Sequence, residues 1–234
     1  MLGGIRFEHT HRLVAATVGF LTLILTIWIG RTERCKEIRW LAIAALGAVV
    51  LQGILGGLTV LFRLPAPISV THACLGPIFF CLVVALAAIH SPQWEESRNH
   101  FSSERAAQKI CSLSFLTSAA IFLQLLFGAI VRHTSYGIGL HVASAFLVLV
   151  LVGLLVLQAG HFKLALFLGI LVMMEFFLGI GTFIFTRVSG IPHSPASILF
   201  PTIHQTMGAL ILATSVVVSL NSFRRNVALN PAAA

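Results

Sequence analysis

The sequence is poor in charged residues, which make up only 9% of its 234 positions, whereas 58% are hydrophobic and the mean hydropathy is +0.99. A soluble domain carries about 25% charged residues because it needs them on a surface that faces water. The composition therefore excludes a soluble globular enzyme, a disordered chain and a secreted disulfide scaffold. It predicts an integral membrane protein with several helices.

Cysteine is also scarce, and its four copies form no metal or disulfide motif. Cys35, Cys74, Cys81 and Cys111 show no CxxC spacing, and three of them lie in or beside apolar runs. They predict neither a zinc site nor an extracellular disulfide. A cleavable signal peptide is not expected, because the apolar run after Arg12 is too long for one and lacks a small-residue cleavage site.

Long apolar runs are abundant. A helix needs about 20 residues to cross a hydrocarbon core about 30 Å thick, and seven runs are long enough. The predicted fold is therefore all-α, a polytopic membrane bundle of seven transmembrane helices. The runs lie at about residues 13–30, 40–62, 69–90, 111–131, 139–160, 163–186 and 199–220.

The formal net charge of +8 arises from 15 Lys and Arg against 7 acidic residues. These basic residues stand between apolar runs rather than on one stripe, so they indicate topology in a lipid bilayer and no nucleic-acid partner. Of those in the connections, ten fall on one side of a seven-helix topology and five on the other. Because cytoplasmic loops are enriched in Lys and Arg, the N-terminus is expected outside and the C-terminus in the cytoplasm.

An internal repeat is visible in the sequence. Residues 51–59, LQGILGGLT, align with residues 174–182, MEFFLGIGT, and share the pattern Leu-Gly-x-x-Thr. The implied halves are residues 1–109 and residues 110–234. Since nothing corresponds to the fourth run before the first, the fold is expected to be a pseudo-repeat of two four-helix bundles with the first helix missing.

Four of the ten histidines occupy equivalent places in the two halves. His11 and His72 begin the first and third runs, and His141 and His204 begin the fifth and seventh. One such histidine is usually an interfacial residue, but four at one depth indicate a function. Zinc or copper would need three or four converging ligands, whereas two pairs on separate helices predict two haems, each with two axial imidazoles.

Residues near these histidines leave alternatives open. Gly53, Gly56 and Gly57 either form flat apolar slots for haem or allow close helix packing. Glu8 shares a helix face with His11 if the helix extends back that far. If Glu8 lies beside the first histidine pair, that pair has a carboxylate and the second pair has none. This difference would indicate that the first site does chemistry and that the second holds a permanent cofactor. Otherwise Glu8 is an N-cap or a first-turn acid favoured by the helix dipole.

Three further polar residues each have two interpretations. Glu175, which aligns with Gln52 in the repeat, belongs either to a proton path or to an interhelical hydrogen bond, and we favour the hydrogen bond. Arg12 and Arg132 either pair with haem propionates or anchor helix ends at the membrane interface.

Four segments carry a family resemblance. They are EHTHRLVA at 8–15, LQGILGGLTV at 51–60, GAIVRHT at 128–134 and the pair His204-Gln205. They resemble the haem A synthase family, and the resemblance spans nearly the whole chain. It implies a membrane haem-dependent oxidoreductase of two four-helix repeats, which oxidises a ring methyl of haem O to the formyl group of haem A for terminal oxidases.

The resemblance also assigns roles. His11 and His72 would be the axial positions of the substrate haem O, and His141 and His204 the axial ligands of a haem b cofactor. Glu8 would be the catalytic carboxylate, which accepts a proton or stabilises positive charge. A haem O synthase and an electron donor are the implied partners, and the bacterial cytoplasmic membrane is the implied location.

The sequence departs from the family in three places. No apolar run corresponds to the helix that normally precedes the Glu motif, which indicates either a misplaced start or a seven-helix variant. The outer cysteine pair is absent, and the segment from Arg132 to His141 is short. The main rival to the enzyme is a non-catalytic haem-binding or electron-transfer cytochrome. A seven-helix transporter or receptor would explain the topology but not the four histidines.

Overall fold

The computed structural model describes residues 2–92, 94, 104–159, 163–188 and 194–229. These residues are helical apart from short connections, and none of them forms a strand. This confirms the expected all-α fold, because a chain in lipid satisfies its backbone hydrogen bonds within each helix.

Seven long helices follow one another along the described chain. Each is long and apolar enough to cross a membrane, which confirms the number predicted from the apolar runs. A π-helical turn, Ile184–Val188, continues the sixth. The helices are α1 (Leu2–Thr32), α2 (Lys36–Leu61), α3 (Ala66–Ile89), α4 (Glu104–Thr134), α5 (Ile138–Ala159), α6 (Lys163–Phe183) and α7 (Pro195–Leu229).

Three of the helices are at least ten residues longer than the apolar runs that predicted them. Helices α1 and α4 contain 31 residues each and α7 contains 35. At about 1.5 Å per residue, each exceeds the roughly 30 Å of the hydrocarbon core. Hydropathy marks only the part of a helix within lipid, so polar ends that continue the helix are missed.

The chain forms two compact units, residues 1–87 and residues 88–234. The first contains α1, α2 and nearly all of α3. Ile29 of α1, Ala42 and Ala45 of α2 and Leu86 of α3 form its buried cluster. The Thr26 hydroxyl, which donates to the Ala42 carbonyl at 3.2 Å, also joins α1 to α2. Alanines on α2 permit this approach because they add little bulk between the helix backbones.

The second unit contains α4 to α7, and its core combines large apolar side chains with small hydroxyl side chains. Leu155, Leu168 and Val218 are fully buried. Between α4 and α7, the hydroxyl oxygens of Ser118 and Ser219 lie 3.0 Å apart. Serine at a helix interface allows close approach and supplies an interhelical hydrogen bond, both of which stabilise contacts within a membrane.

The outer surfaces of the helices carry large apolar side chains. Trp28, Phe62 and Leu157 are among those with more than 60% of their area exposed. A monomeric soluble protein does not leave so much apolar surface in water, whereas lipid solvates it. Surface and helix length together support an integral membrane protein.

Short connections place the starts of α3 and α5. After α2, Arg63 and Leu64 adopt left-handed backbone angles, and the Leu64 amide donates to the Thr59 carbonyl at 2.7 Å. Between α4 and α5 only residues 135–137 intervene, and Gly137 supplies a φ of 85° that glycine adopts without steric cost. Both turns reverse the direction of the chain within a few residues, so the first turns of α3 and α5 lie against the preceding helices.

Candidate functional site

The second unit brings two of the predicted haem ligands together. His141 lies in the first turn of α5 and His204 lies in the third turn of α7. Their imidazole rings are 6.2 Å apart between centroids and nearly perpendicular, with an interplanar angle of 80°. Side chains 63 positions apart in the sequence therefore share one place in the fold.

Each of these rings lies against a glycine on the preceding helix. A Cβ atom added to Gly128 of α4 would lie 3.0 Å from Cε1 of His141, and one added to Gly179 of α6 would lie 3.2 Å from Cε1 of His204. Ordinary van der Waals contact begins beyond these distances. The two glycines therefore provide the space in which the imidazoles lie.

The first unit repeats this arrangement. A Cβ atom on Gly56 of α2 would lie 3.2 Å from Cε1 of His72 on α3, whereas Gly53 and Gly57 have open space around them. Haem slots and close helix packing were the two alternatives for these glycines, and Gly56 instead accommodates an imidazole. We call each such contact a glycine seat: Gly56 with His72, Gly128 with His141, and Gly179 with His204.

A polar side chain stands four residues before each seat glycine. Gln52 donates from Nε2 to the His72 carbonyl at 3.0 Å, the interhelical bond expected of a residue in this position. Gln124 accepts a hydrogen bond from the Ser144 hydroxyl. At the third position, Oε1 of Glu175 lies 3.0 Å from Nδ1 of His204.

The Nδ1 nitrogens of the three seated histidines are alike in one respect. Nδ1 of His72, of His141 and of His204 is buried and makes no hydrogen bond of regular geometry. Because one nitrogen of each ring is enclosed in protein, Nε2 is the atom that remains to reach a ligand.

The other predicted members of the first site lie on α1. This helix begins at Leu2, so Glu8 lies within it and not at its N-terminal cap or in its first turn. Glu8 and His11, three residues apart, therefore share a face. The Glu8 carboxylate accepts a hydrogen bond from Nη2 of Arg12 at 2.6 Å.

The arginine at the end of α4 approaches the second histidine pair. Nη1 of Arg132 donates to Oε1 of Gln205 at 2.7 Å, and Gln205 follows His204 directly. Arg12 and Arg132 thus each have a protein partner. Their contact with haem propionates stays a prediction.

Two imidazoles on two helices of one unit are a donor set that a haem iron accepts. In the described part of the chain, no group of three or more His, Cys, Asp or Glu side chains could hold a metal ion. Two imidazoles that bind one metal from opposite sides, with bonds of about 2 Å, have centroids about 6 Å apart. The 6.2 Å between His141 and His204 agrees with that separation.

Sequence reasoning did not find the glycine seats or the partners of the site residues. It attributed no contact to Gly128 or Gly179, none between Glu175 and the ring of His204, and none between Arg132 and Gln205. A signal was present in the spacing, because Gln or Glu stands four positions before the seat glycine at residues 52–56, 124–128 and 175–179.

Comparison with known proteins places the chain in a family. The model of a family described as cytochrome oxidase assembly protein matches residues 5–144. Three similar proteins are each named Heme A synthase. That of Alkalihalophilus pseudofirmus is 26% identical over 128 residues, and those of Shouchella clausii and Bacillus licheniformis are each 28% identical over 131 residues.

The matched region is part of each protein. It covers 54% of this chain for the first relative and 55% for the other two, and 42% of the length of every one of the three. The chain has no significant match among solved structures. Since the family model extends over more than half of the chain, from α1 into α5, the chain belongs to the haem A synthase family.

Proposed function

We propose that this protein is a membrane oxidoreductase of haem A biosynthesis, which converts a ring methyl of haem O to the formyl group of haem A. The observation that carries the proposal is the pair His141 and His204, whose centroid separation of 6.2 Å suits two axial ligands of one haem. Relatives named Heme A synthase support the same activity.

The second unit would hold haem b as a resident cofactor. His141 and His204 would bind the iron, and Gly128 and Gly179 would leave room for the two rings to keep their orientation. When bound, haem b supplies one-electron transfer. Arg132, 2.7 Å from Gln205 at the end of α4, is placed to exchange that partner for a propionate.

The first unit would bind the substrate haem O between His11 and His72. Glu8 lies one helical turn before His11, and Arg12 holds its carboxylate at 2.6 Å. A carboxylate on the face of the substrate ligand can accept a proton as the methyl carbon is oxidised, or stabilise positive charge there. His72, seated on Gly56, would orient the substrate ring. An electron donor and a haem O synthase are the partners that this activity requires.

A specific observation favours a second candidate, a haem-binding cytochrome without turnover. The side chains of Glu8 and Arg12 are 53% and 62% exposed, whereas the rings of the second pair are partly enclosed. An exposed carboxylate is a weak acid–base catalyst because water screens its charge. The experiment below separates the two candidates.

The test is to produce the full chain together with a haem O synthase and to analyse the extracted haems by chromatography. We expect hydroxylated and formylated haem to accumulate with the protein. Persistent haem O beside a normal haem b spectrum would overturn the enzymatic proposal and support the cytochrome.

The role of Glu8 is tested with Glu8→Ala and a matched carboxylate variant, Glu37→Ala, at the start of α2. Glu8→Ala should abolish product while the haem b spectrum is retained, since Glu8 is in the first unit. Glu37→Ala should leave both unchanged. Loss of product and of haem b together in Glu8→Ala would show that Glu8 supports the structure instead.

A further inference from the structure

The histidines of the second unit differ in what surrounds Nδ1. Nδ1 of both histidines is buried and makes no hydrogen bond of regular geometry. Only Nδ1 of His204 has a carboxyl oxygen beside it, Oε1 of Glu175 at 3.0 Å, a distance within the range of a charge-assisted hydrogen bond. Both side chains are about one-fifth exposed.

The other two polar residues of the repeat do not reach an imidazole. Gln52 bonds to the backbone carbonyl of His72, and Gln124 bonds to the hydroxyl of Ser144. Both therefore join helices without touching the ring. Glu175 stands in the equivalent place and has a carboxyl group, but its oxygen contacts the ring nitrogen itself.

The surface of α7 leaves space for this carboxyl group. A Cβ atom on Gly208, one turn after His204, would lie 3.2 Å from Oε1 of Glu175 and 2.8 Å from a methyl of Leu125. A side chain there would require the Leu125 methyl to move, and the Glu175 oxygen to shift by a few tenths of an ångström. Gly179 of α6 thus lies against the ring of His204 on α7, and Gly208 of α7 lies against the carboxyl group of Glu175 on α6.

We propose that Glu175 is a positioning residue for His204, a role that rests on the proposed haem b site. Its carboxyl oxygen accepts the Nδ1 hydrogen, selects the tautomer whose Nε2 lone pair is free for iron, and increases electron donation by the ring. Nδ1 of His141 has no such acceptor, so the two residues that would hold the iron would differ in electron donation. Greater donation stabilises the oxidised iron and lowers the midpoint potential of the haem.

The test measures the midpoint potential of haem in the purified holoprotein by optical redox titration, in the wild type and in Glu175→Leu, Glu175→Gln and Gln124→Leu. Electron paramagnetic resonance of each variant verifies that two imidazoles still bind the iron. Gln124→Leu is the matched control, because it removes a polar residue from the equivalent position in the same unit without touching a ring.

Glu175→Leu should shift the midpoint potential to a more positive value, and Glu175→Gln should shift it less in the same direction, since an amide oxygen is a weaker acceptor. Gln124→Leu should leave it unchanged. An unchanged potential in Glu175→Leu, or an equal shift in Gln124→Leu, would overturn the positioning role alone. A wild-type protein without haem bound by two histidines would overturn this inference together with the proposed function.

Discussion

At the scale of single residues, chemistry depends on which atoms a side chain can reach. The positions of His141 and His204 near the starts of their helices were readable from the sequence, because a histidine at the edge of an apolar run is conspicuous. Their 6.2 Å separation was not, since it depends on how α5 and α7 are rotated about their axes. The same holds for Glu175. The sequence predicted an interhelical hydrogen bond, which Gln52 makes to a backbone carbonyl, but it did not predict the contact of Glu175 with the ring of His204.

The glycine seats lead to a prediction about haem binding. Gly128→Ala places a methyl 3.0 Å from Cε1 of His141, so the ring must move away from its seat. A change in a residue that orients a metal ligand typically lowers the affinity for the bound group by about 10-fold or more. We therefore expect less haem bound per purified protein than in the wild type, measured by the pyridine haemochrome assay.

The matched control is Gly153→Ala on α5, where nothing lies within 4 Å of the added atom. Alanine should leave haem content unchanged there and stabilise the helix by at most about 1 kcal/mol. Equal haem content in both variants would show that the seat does not position the ring.

At the scale of helices, the repeating element is a hairpin. A Gln or Glu and a glycine lie on the first helix, and a histidine begins the second. This holds for α2–α3, α4–α5 and α6–α7. The alignment that predicted two similar halves contains Gln52 and Glu175. The contact between each glycine and an imidazole, which defines the hairpin, is visible only in the structure. A repeat in the sequence identifies equivalent positions. It does not show which neighbouring helix the side chains at those positions contact.

The interface between α4 and α7 gives a prediction about stability. Ser118 and Ser219 share a hydrogen bond of 3.0 Å inside the second unit. In a double-mutant cycle with Ser118→Ala and Ser219→Ala, we expect a coupling free energy of about 0.6 kcal/mol, typical of hydrogen bonds between membrane helices. Unfolding in mixed detergent micelles, followed by circular dichroism, would measure it.

Thr206→Ala is the control for that cycle, because the Thr206 hydroxyl is exposed and donates to Thr202 within its own helix at 2.8 Å. Its effect on the free energy of unfolding should stay within about 0.5 kcal/mol. Strictly additive effects of the two serine substitutions would contradict the interhelical bond.

At the scale of the whole molecule, the sequence specified the environment. Seven helices of membrane length and outer surfaces rich in large apolar side chains agree with what hydropathy predicted. The orientation rests on loop charges alone, because ten Lys and Arg fall on one side and five on the other.

That orientation makes a prediction that fusion proteins can test. A fluorescent protein joined after Ala234 should fold and fluoresce, because the C-terminus is expected in the cytoplasm. An alkaline phosphatase joined at the same place should stay inactive, since it needs the oxidising outer compartment. The reverse pair of results would overturn the assigned topology.

The sequence by itself determined that the chain is a membrane bundle of seven helices with two pairs of equivalent histidines. It could do so because lipid admits few backbone structures and makes every intramembrane ionisable residue conspicuous. The tertiary structure decided which atoms meet: His141 with His204, each ring with its glycine, and Glu175 with Nδ1 of His204. Those contacts depend on helix rotation and separation, which arise from packing between residues far apart in the chain.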